Sequence, residues 1–276
     1  MKVKHHFFCE YSKALTDALE KNEVPYEHDV WAGTRSDSVS FDLYEDQASF
    51  VEIAALAGSD SVQSAEYTKQ ELLDAEWLTL RCCHPTLELV REEEAFTFSE
   101  PFADGKYRHR ELVGNTFYLK KPVNWKSRHF VSDGGFGNQI LFCDQIARSV
   151  LEGVCLPIRF VDVLHYKSGL PLENVFYMDI QDVLPIDAVI LNGKEEKRIC
   201  ETCGKIQYQL GSIYQLTVRE DSLKTRNGIC KTPSIFAWGE YYTEPLNLVS
   251  NQVYHMLLDN ELSKNLVFEP VRIRKV

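Results

Sequence analysis

An internal repeat is the feature that most constrains how this 276-residue chain can fold. Residues 141–146 align with residues 248–253 at an offset of 107, and Val150-Leu151 align with Leu257-Leu258 at the same offset. Residues 160–163 then align with residues 268–271 at an offset of 108, which implies one inserted residue. Each copy has the pattern of an apolar strand, a polar N-cap, an amphipathic helix and a returning strand. The repeat therefore predicts a duplicated strand–helix–strand unit near residues 139–163 and 246–271.

The polar residue before each helix should act as its N-cap, because a short polar side chain accepts a hydrogen bond from the first turn. Cys143 or Asp144 is expected to cap the first helix, and Ser250 or Asn251 the second. Residues 172–240, between the copies, read as β-rich, with strands near 174–180, 205–210 and 213–219.

The N-terminal part alternates strand and helix patterns. Strands are expected at 3–9, 39–44 and 76–82, and helices at 11–22, 46–56 and 67–75. Thr68 and Glu71 have the spacing of a capping box, and Gly58 is a helix stop. The pattern predicts an α+β protein with a helix-on-sheet domain over residues 1–110, of ferredoxin-like or related arrangement, and a β-rich α+β domain over residues 111–276.

The net charge of −11 limits the choice of partner. Nucleic acid and anionic membrane surfaces both require a basic protein face, so neither is expected. An acidic surface suits a basic protein partner, and it equally serves plain solubility.

Location is indicated by the cysteines and by the first residues. Charges at Glu10, Lys13 and Asp17 interrupt any apolar stretch of the kind found in an export signal, and no run approaches the ~20 apolar residues of a membrane-spanning helix. Eight cysteines at irregular spacing do not resemble a secreted disulfide framework. Free thiols in a cytoplasmic protein are therefore expected.

The most specific chemical motif is Cys200-Glu201-Thr202-Cys203-Gly204. Two thiolates separated by two residues, followed by glycine, form the knuckle that wraps one side of a tetrahedral Zn²⁺ ion. Cys200 and Cys203 are thus candidate ligands of a structural zinc, with Cys230, His255 and His165 the nearest candidates for the remaining positions. The alternative is a β-turn that binds no metal.

Other clusters carry weaker signals, and none amounts to a catalytic signature. Residues 81–85 place two thiols beside His84, but neighbours on a strand point to opposite faces. His5 and His6 are separated in the same way, which argues against a metal site there. The glycine-rich stretch 132–139 is followed by a strand and contains no lysine, so it predicts a hairpin turn rather than a phosphate loop. Residues 108–110 are expected in a solvated loop, and the four tryptophans in the core or an interface: Trp31, Trp77, Trp125 and Trp238.

The CxxCG motif, together with residues 248–250, Leu257 and residues 268–271, resembles the double-CxxCG proteins and related bacterial proteins. Several of these are treated as immunity proteins of polymorphic toxin systems. The resemblance covers about the last 140 residues, and this chain has one CxxCG where the family pattern has two. It implies a cytoplasmic bacterial protein that binds a toxin domain, without enzymatic activity, and with Cys200, Cys203 and Gly204 as the knuckle.

Two hypotheses for function follow. The first is a non-catalytic, immunity-like protein that occludes a basic partner with an acidic surface. The second is an enzyme or small-molecule sensor with a pocket between the two halves.

Overall fold

The computed structural model describes residues 1–29, 37–58, 61–83, 87–90, 94, 96–98, 110–112, 114, 116–133, 140–154, 156–190, 196–199, 206–209, 216–233, 236–238 and 242–275. Helices and mixed sheets are both present, which confirms the α+β class. The described chain divides into two compact units, the first over Met1–Glu71 and the second from Leu72 onward.

The first unit is a four-stranded sheet with helices on one face. Its elements are β1 (Lys2–Glu10), α1 (Lys13–Lys21), β2 (Tyr26–Asp29), β3 (Ser38–Tyr44), α2 (Phe50–Ala57) and β4 (Ser61–Glu66). The strand order is β2-β3-β1-β4, with every neighbour antiparallel. The β-α-β-β-α-β element order with this strand order is a split β-α-β topology. Alternate residues of β3 are buried (Val39, Phe41 and Leu43), so one sheet face packs against the helices.

The second unit contains a longer series of short strands and helices, in which a regular plan repeats. Helices are α3 (Lys69–Asp74), α4 (Gln145–Gly153), α5 (Glu220–Leu223) and α6 (Asn251–Asp259), with a 3-10 turn at Ile186–Ala188. The strands up to the middle of the unit are β5 (Trp77–Cys82), β6 (Leu89–Val90), β7 (Phe96–Phe98), β8 (Arg110–Leu112), β9 (Tyr118–Leu119), β10 (Phe130–Ser132), β11 (Leu141–Cys143), β12 (Ile158–His165) and β13 (Pro171–Ile180). The remaining strands are β14 (Val189–Ile190), β15 (Glu196–Ile199), β16 (Ile206–Gln209), β17 (Thr217–Arg219), β18 (Ile229–Lys231), β19 (Phe236–Trp238), β20 (Tyr242–Glu244), β21 (Asn247–Ser250), β22 (Leu266–Pro270) and β23 (Arg272–Arg274).

Two sheets of the second unit have the same plan. One has the order β10-β11-β13-β12-β9-β6. The other has the order β18-β21-β5-β22, and the chain continues from β22 into β23, which forms a three-stranded sheet in the order β14-β17-β23. When the two strand orders are compared from end to end, each pair of neighbouring strands has the same relative direction in both. The one parallel pair in the first order, β12 with β9, corresponds to the parallel pair β23 with β17 in the second. The unit is therefore a tandem duplication of about 100 residues.

The strand registers agree residue by residue. Helix α4 is capped by the Asp144 side chain and α6 by the Ser250 side chain, each accepting a hydrogen bond from a backbone N–H three residues on, so two of the predicted caps are confirmed. With these caps superposed, equivalent pairs are Phe130 opposite Cys143 and Ile229 opposite Val249. Likewise, Cys143 opposite Phe176 matches Val249 opposite Leu78.

The central strand of each sheet comes from the other copy. Strand β5 begins the first copy, yet it lies between β21 and β22 of the second. Strand β13 begins the second copy, yet it lies between β11 and β12 of the first. The two copies thus exchange their first strands reciprocally, as the protomers of a strand-swapped dimer do.

One core joins the two copies. It contains alternate residues of β5 and β13, together with the buried faces of α4 and α6. Its buried members from the exchanged strands are Leu78, Leu80, Cys82, Phe176, Met178 and Ile180. The opposite faces of the two sheets are covered by separate, smaller clusters.

The structure corrects two sequence expectations. At the first strand and helix of the repeat, the caps Asp144 and Ser250 are 106 residues apart, so the predicted offset of 107 is wrong by one. At the returning strand the predicted offset of 108 is confirmed, because Phe160 and Phe268 pair with equivalent residues of β13 and β5. Strand 76–82 was assigned to the N-terminal domain ending near residue 110, but β5 pairs with β21 and β22, and the first compact unit ends at Glu71. Strand spacing carries no information about which partner a strand selects.

Candidate functional site

The predicted zinc ligands Cys200 and Cys203, with Gly204, lie outside the described residues. The strands on either side, β15 and β16, pair antiparallel with Ile199 opposite Ile206. The zinc knuckle stays a prediction.

The other candidate ligands lie in unlike surroundings. Cys230 is fully buried on β18, and burial raises the pKa of its thiol to about 12. The Nδ1 atom of His165 lies 3.1 Å from Ser168 Oγ, and His255 is half-buried on α6. Within the described ranges, no three His, Cys, Asp or Glu side chains are grouped so as to hold a metal ion.

The thiols beside His84 differ in burial. Cys82 is buried, and the Asn265 side chain donates to its sulfur at 3.1 Å, whereas Cys83 is half-buried. His84 lies outside the described residues, so the expectation that its imidazole and the neighbouring thiols point to opposite faces stays a prediction. The same applies to Trp31, to Arg108 and His109, and to the glycine-rich residues 134–139. Trp77 is a core residue, as expected, and Trp125 donates from Nε1 to the Asn174 carbonyl.

Burial makes a reactivity order for these thiols predictable. Desolvation holds the pKa of Cys143 well above its usual range, so at about pH 8 both Cys143 and Cys230 carry very little nucleophilic thiolate. We expect iodoacetamide to alkylate both at least ~100-fold more slowly than Cys83 in the folded protein. Peptide mapping by mass spectrometry measures the order, and the denatured chain, in which all eight cysteines should react, is the control. Fast alkylation of Cys143 in the folded chain would contradict the buried placement.

His5 and His6 lie on opposite faces of β1, as predicted. His5 is 5% exposed on the helix-covered face, while His6 is exposed on the other face, with Nδ1 2.8 Å from Asp42 Oδ1. The two imidazoles therefore cannot bind one metal ion together.

The negative charge of the chain is concentrated in the first unit. Residues 1–71 contain 14 acidic and six basic residues, which gives −8 of the total −11 from about a quarter of the sequence. Repulsion among these charges costs folding free energy, while the same charge keeps a protein soluble.

An acidic groove of about 490 Å³ lies on this unit, where the end of α1 meets strands β2 and β3. Carboxylates of Glu23, Glu27 and Asp42 line it, with the rings of Tyr26 and Tyr44 beside them. Asp42 is bound to Lys4 and His6, which hold the pKa of its carboxyl below the usual value against desolvation. Glu23 and Glu27 are exposed and pair with no described residue.

Glu23 has a left-handed backbone conformation, which is unfavourable for an L-residue. After α1, the Val24 N–H donates to the Leu19 carbonyl and the Glu23 N–H to the Glu20 carbonyl, which is a Schellman motif. Its left-handed position is usually glycine, but here Glu23 occupies it with φ 55°. Helix α6 ends in the same way, with Glu261 at φ 58° and Leu262 N–H donating to the Leu257 carbonyl.

Sequence reasoning missed this groove. The total charge indicated no position, whereas a count of charges along the sequence would have located the acidic N-terminal part that contains the groove. Strand β2, which contributes one wall, was not predicted, because its residues Tyr26–Asp29 are nearly all polar and exposed.

No protein-family model, no curated protein and no solved structure matches the chain. None of the helices in the described ranges is long and apolar enough to cross a membrane.

Proposed function

We propose that the protein is an immunity-like protein that binds a basic protein partner through its first unit, and that this binding role is non-catalytic. The observation that carries the proposal is the concentration of net charge, −8, in residues 1–71. Such a field attracts a cationic protein over distances of about a Debye length and accelerates association. Specific occlusion of a basic toxin domain would use this attraction.

The acidic groove supplies the contact chemistry. A lysine or arginine side chain needs carboxylates that are not already neutralised, and Glu23 and Glu27 meet that condition among the described residues. The flanking Tyr26 and Tyr44 rings offer faces over which a cation is stabilised. Lys2 already lies in this way over Tyr44, with Nζ 5.7 Å from the ring centre.

The duplication supports the resemblance to the double-CxxCG proteins. The β7–β8 and β15–β16 hairpins occupy equivalent places in the two copies, and Cys200 to Gly204 directly follow β15. Residues 99–109, between β7 and β8, contain no cysteine. Loss of one motif from the first copy would give the single CxxCG of this chain, with Cys200 and Cys203 retained for a structural zinc.

The test is capture of a partner on immobilised protein at low ionic strength, with two glutamate-to-glycine variants compared. We expect a stoichiometric basic protein that raised salt releases. Glu23→Gly should weaken its binding roughly tenfold, because one uncompensated carboxylate is lost from the groove. Glu261→Gly, at the same helix-end position on the second unit, should bind as the wild type does.

Both variants share one side effect, which makes them a matched pair. Each replaces a left-handed glutamate by glycine and should stabilise its unit by about 1–2 kcal/mol. If the two variants lose binding equally, or if no basic protein is retained at low salt, the proposed function is wrong.

A second candidate function, an enzyme or small-molecule sensor, is favoured by one observation. In the first unit a hydroxyl, an imidazole and a carboxylate are linked by hydrogen bonds: Ser61, His5 and Glu45.

A further inference from the structure

The helix-covered face of the first unit holds a pocket of about 420 Å³ that shares no residue with the acidic groove. Its walls are apolar and come from β1 and α2, with Phe7, Phe50, Ala54 and Ala55 as the main contacts. His5 and Ser61 form its polar part. Apolar walls with a few convergent polar groups are the usual composition of a small-molecule site.

The hydrogen bonds around His5 define a direction of proton transfer. Nε2 lies 2.9 Å from Glu45 Oε1, and Nδ1 lies 2.9 Å from Ser61 Oγ. An ionised carboxylate only accepts hydrogen bonds, so Nε2 carries the proton and donates it to Glu45. In the neutral tautomer that this pairing selects, Nδ1 is the acceptor and the Ser61 hydroxyl donates to it.

The imidazole is held rigidly in this orientation. Its side chain is 7% exposed, and it stacks on Phe7 with ring centres 5.8 Å apart and meets the edge of Phe50 at 4.8 Å. Ser61 pairs with Phe7 at the start of β4, so strand pairing fixes its backbone as well. A serine hydroxyl hydrogen-bonded to an oriented imidazole is the arrangement that activates serine as a nucleophile.

We propose that Ser61, His5 and Glu45 form an acyl-transfer site that hydrolyses carboxylic esters with a small apolar acyl group. Ser61 Oγ attacks the ester carbonyl carbon, and its proton passes to His5 Nδ1. The bond to the leaving alkoxide breaks, and that alkoxide takes the proton from Nδ1 and departs as an alcohol. Water then attacks the acyl-enzyme, giving a proton to Nδ1, and Ser61 Oγ recovers that proton as the carboxylic acid leaves. Glu45 is a positioning residue that holds the required tautomer.

The test is covalent labelling of the full chain by a fluorophosphonate, read by intact mass and peptide mapping, with p-nitrophenyl butyrate turnover as a second measurement. We expect one label, located at Ser61, and a burst of p-nitrophenolate. Ser61→Ala should abolish both. Glu45→Gln should slow labelling at least ~10-fold while the melting temperature stays nearly unchanged. If Glu45 made only a structural contact, the substitution would not slow labelling in this way.

Ser64→Ala is the matched control. Ser64 lies on the same strand, opposite Lys4, on the face away from the pocket, so this variant should label like the wild type. An unlabelled wild type, or a label that persists in Ser61→Ala, overturns the proposal. Neither result bears on partner binding, because the acidic groove lies on other residues.

Discussion

Replacing Gly228 by alanine should destabilise the second unit by about 2–5 kcal/mol. Gly228 has φ +73°, where an L-residue costs about 1–2 kcal/mol. A Cβ atom at this position would also lie 2.6 Å from Leu156 Cδ2 and 3.0 Å from Val253 Cγ2. Overpacking of this kind typically adds about 1–3 kcal/mol. Denaturant unfolding of the intact protein measures the sum.

Gly169→Ala separates the two costs. Gly169 has φ +67°, but no atom lies within 4 Å of its would-be Cβ. That variant should therefore lose only the backbone contribution, about 1–2 kcal/mol. Equal losses in the two variants would mean that Leu156 and Val253 move aside freely, and the close packing around Gly228 would be wrong.

Splitting the chain at the turn before β13 should give two fragments that depend on each other. Each fragment of a 1–168 and 169–276 pair lacks the central strand of one sheet. For 169–276 the missing strand is β5, whose buried apolar residues are Trp77, Leu78, Leu80 and Cys82. Burial of large apolar side chains contributes about 1.5–3 kcal/mol each, so the loss is comparable with the whole stability of a domain.

We expect residues 169–276 alone to show no cooperative unfolding transition, and co-expression with residues 1–168 to yield a one-to-one complex that does. Leu80→Asp in the larger fragment is the control, since it places a carboxylate in the shared core and should prevent association. A folded, monomeric 169–276 fragment would exclude the reciprocal exchange of strands.

Local structure was largely predictable from the sequence. Thr68 and Glu71 form the expected capping box, with Thr68 N–H donating to Glu71 Oε2 at 2.8 Å and Glu71 N–H to Thr68 Oγ1 at 3.2 Å. Gly58 ends α2, its N–H donating to the Ala54 carbonyl. Such features depend on residues three or four apart, and those spacings are legible in the chain.

The larger repeat was visible only in its last third. Strand β5 reads WLTLRC and the equivalent residues of β13 read VFYMDI, so the two share a similar apolar pattern but no identical position. The offset also drifts, from 98 residues at these strands to 106 at the helices, and strands β19 and β20 are inserted where it changes. A one-residue error in such an alignment assigns every side chain of a strand to the opposite face of the sheet. The predicted offset of 107 would therefore assign Phe142 of β11 to the wrong face.

The candidate sites were less predictable because they depend on long-range pairing. Ser61, His5 and Glu45 are up to 56 residues apart, and only the antiparallel pairing of β1 with β4 brings the imidazole and hydroxyl together. Glu23 could not be singled out either, since a glutamate after a helix gives no sign that its φ is positive.

The exchange of first strands has a consequence for biosynthesis. Strand β5 leaves the ribosome early, but its partners are residues 247–250 and 266–270, almost two hundred positions later. Folding is slow because the chain must close a loop of that length before β5 can pair with its partners. Until then the apolar residues of β5 stay exposed to solvent. Any nascent chain interrupted before about residue 270 would present β5 to chaperones and proteases, so truncated products are expected to be cleared rather than to accumulate.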